Sequence, residues 1–581
     1  MTASVESNAA VAGNNSARRS VQSPAMPPSA SRAARRGTRR PRPALLPPGL
    51  TVALLLLAGA GVDARAEAAE RTESAGTPVQ VLTYHNDLAR TGQNRRETAL
   101  TPANVNVANF GKVGFFPTDG LVYAQPLYLS HRSIAGGVHN VLYVATEHDS
   151  VYAFDADTGA VLWQTSLLGA GETPSDDRGC GQIEPEIGVT ATPVIDPAAG
   201  PHGAIYVVGM SRNAAGRYFQ RLHALDVDTG AEQPASPVTI EADCPGSGEN
   251  SSGGRLRFDP AMYKERSGLL LLHGVIYTTW ASHCDHPPFN AWLIAYDART
   301  LRQVAVLNLT PNGTEGGLWG SGAAPAVDAD GSIYLTVGNG TFDTELDGRG
   351  FPRHQDFGNT FLKLSTAGGG LAVADYFAMK NVVWESSVDW DLASGGVLRL
   401  PDQTDAAGRV RRLAIAAGKD QAIYVVDCDH FGGFRPDRND VYQELTGALA
   451  GQEYGMPAYF DGTVYYGAMA DSIHAYRIHD ARLPATPTSQ TPNKFGYPGT
   501  TPSISANDAA DAILWAIELR EAAVLHAYDA RDLTRELYNS DQAPDHRDQF
   551  GSGIKFAVPT IADGRVFVGA QAGVAVFGLR R

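Results

Sequence analysis

The sequence lacks the motifs that mark several large classes of enzyme. It has only four cysteines in 581 residues, with no Cys-x-x-Cys pair and no Cys-x-x-Cys-His haem-attachment motif. It contains no His-Glu-x-x-His zinc motif, no P-loop and no dinucleotide-binding glycine fingerprint. After residue 80, long helical periodicity is scarce and apolar residues alternate over short runs. These absences argue against a covalently bound haem and against a nucleotide-binding α/β fold.

The four cysteines leave the redox state of the chain open. They are Cys180, Cys244, Cys284 and Cys428. In an oxidising compartment, Cys244 and Cys284 are candidates for a disulfide bond. Isolated buried thiols are an equally open alternative, because unpaired cysteine is among the most buried residue types.

The first 66 residues predict an export leader. They carry nine Arg, two acids and no Lys, with an apolar stretch at residues 50–61 before a small-x-small cleavage pattern at residues 64–66. That stretch is too short to span a membrane, so we expect a mature chain without a membrane span, in the periplasm or outside the cell. A disordered basic tail is the alternative, and Met26 is a second candidate start.

This division leaves a linker at residues 67–79 and a folded domain at residues 80–581. The formal net charge of the whole chain is −15, and loss of a leader with nine Arg and two acids lowers it to −22. A domain this acidic is a poor partner for nucleic acids and for anionic membranes.

One theme recurs along the domain: an apolar strand ends in Tyr, a short turn follows, and a second strand ends in Tyr-Asp or Phe-Asp. The clearest copy, at residues 141–163, reads VLYVATEHDSVYAFDADTGAVLW. Eight strand starts recur at spacings of roughly 45 to 70 residues, which suit four-stranded blades joined by loops. Such a unit cannot bury its two faces alone, so the copies must stack on one another.

The pattern predicts an all-β protein, an eight-bladed β-propeller of four-stranded antiparallel blades. The eighth unit lacks its outer strands, and residues 79–112 are expected to supply them and so close the ring. An open solenoid is the alternative, but it would need capping repeats. The polar stretch at residues 84–87 is expected to be a surface loop.

The repeat at residues 143–163 resembles the pyrroloquinoline-quinone (PQQ) repeat. Residues 80–581 as a whole are similar to the quinoprotein alcohol dehydrogenase-like family of eight-bladed propellers. The repeat is specific to the fold and not to an activity, because non-catalytic assembly factors share it.

The resemblance implies five site residues. Trp319, in a Trp-Gly pair before a strand that ends Gly-Asn, matches the aromatic floor under the quinone, and Asn339 matches a calcium ligand. Asp391 matches the catalytic base and a second metal contact, and Lys419 matches the basic residue that hydrogen-bonds the quinone oxygens. Cys180 matches one half of a vicinal disulfide over the quinone. Interblade packing, a turn and a salt-bridged surface loop are the structural alternatives for these positions.

These residue types suit the oxidation of an alcohol by a bound quinone. A carboxylate takes the hydroxyl proton, and a cation, either Ca²⁺ or Lys, stabilises the negative oxygen that develops on the quinone. The resemblance therefore implies PQQ and Ca²⁺ as cofactors and a small alcohol or sugar as substrate. Electrons would pass to a separate acceptor, since the chain has no haem motif.

Three departures from the family favour a non-catalytic alternative. Gly181 replaces the second Cys of the vicinal pair. No Asp or Glu lies between Asp196 and Asp226, where the family has a Glu calcium ligand. Glu184 and Glu186 stand where an Arg is expected. The alternative is a secreted propeller that binds a protein partner or another ligand on its loop-rich face.

Overall fold

Eight β-sheets follow one another around a ring in the computed structural model, which describes residues 79–580. Each blade has four or five strands, and nearly all neighbouring strands run antiparallel. The all-β, eight-bladed propeller predicted from the repeats is confirmed. The predicted leader at residues 1–66, and the linker except for its last residue, lie outside the described residues.

The strands are assigned to blades in chain order of their main repeats. Blade 1 contains Gln80–Val81, Leu127–Ile134, Gly137–Ala145, Ser150–Asp155 and Val161–Ser166, and blade 2 contains Glu172–Pro174, Val194–Asp196, Ala204–Asn213, Tyr218–Asp226 and Val238–Thr239. Blade 3 contains Tyr263–Glu265, Leu270–Leu272, Val275–Ser282, Trp292–Asp297 and Gln303–Asn308. Blade 4 contains Ala326–Val327, Ile333–Thr336, Phe361–Ser365, Ala372–Ala378 and Gly433–Phe434. Blade 5 contains Leu398–Arg399, Leu413–Ala417, Ile423–Asp427 and Gln443–Leu445; blade 6 contains Ala458–Phe460, Thr463–Tyr466, His474–Arg477 and Ser489–Gln490; blade 7 contains Gln93–Asn94, Ser503–Asn507, Ala510–Glu518, Val524–Asp529 and Glu536–Asn539; blade 8 contains Phe110–Pro117, Thr560–Ala562, Arg565–Ala570 and Gly573–Leu579. Two small hairpins (Asp243–Pro245 with Arg255–Arg257, and Gln403–Thr404 with Val410–Arg411), one short α-helix, α1 (Val382–Ser387), and five single 3-10 turns of the described residues lie outside these sheets.

Contacts between consecutive blades explain the Tyr-Asp repeat. In blade 1, Asp155 accepts hydrogen bonds from the backbone N–H and the hydroxyl of Thr158, which fixes the turn. The Trp163 ring of blade 1 packs on the equivalent turn of blade 2, where its Nε1 donates to the Val227 carbonyl at 3.0 Å. A Cβ on Gly230 would lie 2.5 Å from that ring, and φ there is +69°, so the turn requires glycine. The motif therefore docks one blade on the next.

The eighth blade takes a strand from the opposite end of the chain. Phe110–Pro117 pairs antiparallel with Gly573–Leu579. The buried Phe110 ring lies 5.0 Å from the ring of Tyr538 in blade 7 and 6.3 Å from that of Phe577 in blade 8. The pairing covers a sheet edge, and the aromatic contacts tie this early segment to both blades.

Residues 79–94, which we call the strap, run past the first strands of five blades. In blades 2, 4, 5, 6 and 7, the backbone N–H groups that donate to strap carbonyls belong to Ile195, Val327, Arg399, Tyr459 and Ile504. Tyr84 and His85 are 2% and 0% exposed, so the expected surface loop at residues 84–87 is wrong. His85 Nδ1 and Nε2 lie 2.8 and 2.9 Å from the carbonyls of Arg90 and Pro502. Polar side chains are buried here because main-chain carbonyls satisfy them.

The fully buried Arg90 is the polar anchor of the strap. Its guanidinium donates to the carbonyls of Pro325 and Tyr84 and to the Thr83 hydroxyl, at 2.7 to 3.0 Å. We expect Arg90→Met to lower the free energy of unfolding by about 3 kcal/mol, because buried acceptors lose charged donors. Thermal and denaturant unfolding of both proteins would measure it. Arg95→Met is the control, since its pair with Asp508 is exposed; equal losses in the two variants would contradict the anchor role.

Candidate functional site

A cavity of about 330 Å³ opens where loops from most of the blades converge. Five of its lining residues are aromatic: Tyr123, Trp319, Tyr454, Tyr497 and Phe556. The rings of Tyr454 and Phe556 lie 6.2 and 6.5 Å from that of Trp319. Because these residues belong to segments that enter different blades, the cavity lies near the axis of the ring.

Trp319, Asp391 and Lys419 form one hydrogen-bonded group at this cavity. Trp319 Nε1 donates to Asp391 Oδ2 at 3.0 Å, and Lys419 Nζ lies 2.8 Å from Asp391 Oδ1. Lys419 Nζ also lies 5.4 Å from the centre of the Trp319 ring. Trp319 and Lys419 line the cavity, whereas Asp391 lies behind them and is 1% exposed. The fold thus brings together three residues that span 100 positions of the chain; their chemical roles stay predictions.

The environment of Asp391 and Lys419 sets their protonation in opposite ways. Burial raises the pKa of Asp391 above its usual range, and the charge and hydrogen bond of Lys419 oppose that rise. Burial alone would lower the pKa of Lys419, but the Asp391 and Asp389 carboxylates raise it overall. Lys419 is therefore a permanent cation that helps to keep a buried carboxylate ionised.

Asn339 joins the group through Asp389. Its Nδ2 and the Lys419 ammonium group both donate to Asp389 Oδ1. The Asn339 side-chain oxygen has no hydrogen-bond partner. Across residues 79–580, no group of three or more His, Cys, Asp or Glu side chains is placed to hold a metal ion. The metal role of Asn339 and Asp391 stays a prediction.

Cys180 is at the cavity, but its partner is not the one expected. It forms a disulfide with Cys284, 104 residues away, and both residues line the cavity. The candidate pairing of Cys244 with Cys284 is wrong, because Cys244 is a free thiol on a separate hairpin. Cys428 is free and buried. The cavity therefore has a disulfide bond between blades 2 and 3, at the position where Gly181 rules out a vicinal Cys-Cys disulfide.

Three further cations line the cavity, and the sequence pattern did not reveal them. They are Lys264 and Arg266 from the start of blade 3, and Lys555 from the loop before blade 8. Arg266 is 5% exposed, its Nη2 has no partner, and its guanidinium lies 4.9 Å from the Phe556 ring centre. Burial, and then the charge of Arg266, lower the pKa of Lys264 to about 8. Positive charge is thus concentrated in the cavity without enough carboxylates to neutralise it.

The buried Glu147 carboxylate forms no ion pair with these cations. Glu147 Oε2 accepts hydrogen bonds from the backbone of Gly188 and the hydroxyl of Thr190, and burial raises its pKa to about 7. Two of the three arginines between Asp196 and Asp226, where a calcium ligand was expected, pair with acids: Arg212 with Asp176 and Arg221 with Glu172. We call Lys264, Arg266 and Lys555 the cationic wall. The sequence hints at it only through the Lys-x-Arg stretch at residues 264–266, and that stretch belongs to no motif.

Comparisons with known proteins agree with this architecture. Residues 89–233 match a family model described as outer membrane protein assembly factor BamB. No curated protein sequence matches the chain. The solved quinohemoprotein alcohol dehydrogenase from Comamonas testosteroni is 13% identical with a TM-score of 0.58, over 88% of this chain and 81% of that one. The corresponding enzyme from Pseudomonas putida HK5 is 14% identical with a TM-score of 0.55, over 89% and 82% of the two chains.

A europium-containing methanol dehydrogenase is 12% identical with a TM-score of 0.55, over 88% of this chain and all of that one. At such identities the likeness establishes the fold and not the activity. The chain therefore has the eight-bladed propeller fold of the solved quinohemoprotein alcohol dehydrogenases, and its residues 89–233 match a PQQ-repeat family model.

Proposed function

We propose that the chain is a PQQ-dependent dehydrogenase that oxidises alcohols or sugars and passes the electrons to a separate acceptor. The observation that carries the proposal is the group of Trp319, Asp391 and Lys419 at one end of a cavity with a cationic wall. An aromatic ring, a base and a fixed cation are the parts that a quinone dehydrogenase needs.

The lining residues fit PQQ, which is a flat tricarboxylate. Lys264, Arg266 and Lys555 would hold its carboxylates, and the buried Arg266 Nη2 lacks any partner within the protein. Trp319 offers an aromatic face in the same cavity, and Lys419 offers an ammonium group near that ring. When bound, PQQ supplies the acceptor for the hydride that leaves the alcohol carbon.

In this proposal, Asp391 takes the proton of the substrate hydroxyl. Trp319 Nε1 and Lys419 hold its carboxylate in place, and the same ammonium group favours negative charge on a quinone oxygen. Asp391 is buried behind Trp319 and Lys419, so the alcohol has to approach it through the cavity that these two residues line.

The residues near Asn339 do not fit a divalent cation. The Lys419 ammonium group already bridges Asp389 and Asp391, and a Ca²⁺ ion prefers six to eight oxygen ligands. We therefore propose that Lys419 supplies the positive charge at the quinone, with no step assigned to a metal.

A non-catalytic role is the second candidate, and the family model that matches residues 89–233 favours it. Its description as an outer membrane assembly factor would make the chain a propeller that binds a protein partner. Titration with PQQ, followed by absorbance and tryptophan fluorescence in the presence of Ca²⁺ or of EDTA, separates the two. Saturable binding followed by alcohol-dependent dye reduction supports the dehydrogenase, whereas no binding at high micromolar PQQ supports the second candidate.

Lys264 predicts how PQQ binding depends on pH. Its ammonium group is charged below a pKa of about 8 and neutral above it, so an anion is held more tightly on the acid side. We expect the Kd of PQQ to rise about tenfold from pH 7.5 to 9.5, because the loss of one nearby positive charge weakens the binding of an anion by about that factor. Titrations across this range would measure the change. Lys264→Met should bind weakly at every pH; a rise in Kd that survives this substitution would assign the titration to another group.

We further propose that the protein acts in the periplasm or outside the cell. The predicted leader supports this location, as does the Cys180–Cys284 disulfide, since such bonds persist in oxidising compartments. In the part of the chain that the structure describes, no helix has the length and apolar character needed to cross a membrane.

A further inference from the structure

The proposed base lies at the end of an exposed loop. Residues 388–390 join helix α1 to Asp391, and the side chains of all three are exposed. Segments of this kind open easily, because few buried contacts hold them. A general base, however, must stay within hydrogen-bond reach of the proton that it takes. Contacts from outside the loop must therefore hold Asp391 in place.

Asn359, in the loop before the strand Phe361–Ser365 of blade 4, bridges the two peptide groups that flank Asp391. Its Oδ1 accepts a hydrogen bond from the Leu392 N–H at 2.9 Å, and its Nδ2 donates to the Trp390 carbonyl at 3.1 Å. A backbone N–H only donates and a carbonyl only accepts, so these partners fix the orientation of the side-chain amide. We call Asn359 and these two contacts the Asn clamp.

The surroundings of Asn359 suit a fixed anchor. Asn359 is 0% exposed, and its own backbone N–H donates to the Gly338 carbonyl at 2.8 Å. Its φ is +52°, a left-handed conformation that Asn tolerates better than most residues do. A Cβ on Gly338 would lie 3.2 Å from Asp391 Oδ2 and 2.7 Å from the Gly317 carbonyl, so the carboxylate packs directly on this turn. The Asn clamp therefore joins the backbone of Asp391 to the turn on which its carboxylate rests.

We propose that Asn359 is a positioning residue that holds the Asp391 carboxylate where it can take the proton of the substrate. The proposal rests on the proposed dehydrogenase function. Asn359 does not line the cavity, so it acts on the reaction only through the backbone of Asp391. Without Asn359, the Asp391 carbonyl would still accept from the Lys419 N–H at 3.1 Å, so the loop would shift and not unfold. A shift of about 1 Å is enough to cost about 10²-fold in rate.

Asn359→Gly tests the Asn clamp, because glycine accepts the left-handed backbone and loses only the side chain. We expect kcat for dye-linked alcohol oxidation to fall about 10²-fold, while KM for the alcohol and Kd for PQQ change less than about threefold. Asn94→Gly is the matched control. Asn94 is 8% exposed and also makes two hydrogen bonds to the backbone, with the Arg96 N–H and the Ile561 carbonyl, away from the cavity. It should lower the midpoint of thermal unfolding about as much and leave kcat within about twofold.

Asn359→Asp is a second, more conservative variant, and it serves also if Asn359→Gly does not fold. Its carboxyl group can replace both contacts only while it is protonated, because an ionised carboxylate cannot donate to the Trp390 carbonyl. The ratio of its kcat to that of the wild type should therefore fall about tenfold from pH 6 to 9, the effect of one buried hydrogen bond. The charged groups around Asp391, which are Asp285, Asp389 and Lys419, are present in both proteins, so the ratio removes their own titration.

The indole N–H of Trp319 reports the position of Asp391 without any turnover. Its NMR signal in protein labelled with 15N-tryptophan, assigned with Trp319→Phe, should shift in Asn359→Gly, because its hydrogen bond to Asp391 Oδ2 changes. The signal should stay in place in Asn94→Gly. An unchanged signal, a kcat that does not fall, or an equal fall in the control would overturn the positioning role. A shifted signal in a protein whose wild type never oxidises an alcohol would instead reject the dehydrogenase and keep Asn359 as the residue that positions Asp391.

Discussion

Replacing Asp391 with Asn should lower the turnover of the PQQ-loaded protein by about 10²–10⁴-fold while the cofactor stays bound. The amide keeps the shape of the side chain and can still accept from Trp319 Nε1, but it cannot take the hydroxyl proton of the substrate. Dye-linked alcohol oxidation measures the rate, and PQQ titration measures the affinity, which we expect to change less than threefold because Asp391 is not part of the cationic wall.

Asp389→Asn is the matched control for this variant. It removes a carboxylate from the same Lys419 ammonium group, but Asp389 has a side chain that is 66% exposed and makes no contact with Trp319. We expect a loss of about tenfold or less, because an exposed ion pair contributes little. Equal losses in both variants, or full turnover in Asp391→Asn, would remove Asp391 from the role of base.

The propeller was predictable because its repeat is a local pattern with a local physical cause. The Asp155 turn needs particular residue types over a few positions, and the docking of Trp163 needs only that the next repeat supplies an equivalent turn. Gly230 belongs to the same pattern, since its position tolerates no Cβ. Such signals repeat along the chain and therefore reinforce one another.

The strap and the disulfide were not predictable in this way. Tyr84 and His85 look like surface residues in sequence, and they are buried only because carbonyls from distant blades satisfy them, such as that of Pro502. Cys180 and Cys284 are 104 residues apart, and only the ring brings their blades together. Partners that the fold supplies at long range leave no trace in local spacing.

The residues of the candidate site also differ in whether a local sequence pattern predicts them. The family motifs identified Trp319, Asp391 and Lys419, and the fold places these side chains in contact. Lys264 and Arg266 were missed because they belong to an ordinary Lys-x-Arg stretch, in and directly after the short strand Tyr263–Glu265. Their importance comes from being buried together at the cavity, which requires knowledge of which loops meet at the axis.

Replacing Lys419 with Met is expected to remove the cation that keeps Asp391 ionised. Asp391 is 1% exposed, and its contact with Lys419 is the charged contact that opposes the effect of burial on its pKa. Leaving a buried carboxylate unpaired costs about 3–5 kcal/mol, which corresponds to a loss of activity of about 10²–10⁴-fold at pH 7. The pKa of Asp391 must then rise further, and a base works only above its own pKa. The acid limb of the pH profile for kcat should therefore move to higher pH.

Two variants separate this effect from a loss of quinone stabilisation. In Lys419→Met, raising the pH ionises Asp391 again and should recover part of the rate, but not the part that the ammonium group contributed at the quinone oxygen. Lys419→Arg keeps the positive charge and should hold the acid limb within about half a pH unit of its wild-type position. Profiles of dye-linked turnover from pH 5 to 10 measure all three proteins. An acid limb that does not move in Lys419→Met would show that Lys419 does not control the protonation of Asp391, and the base would then have to be sought among the other carboxylates at the cavity, beginning with Asp389.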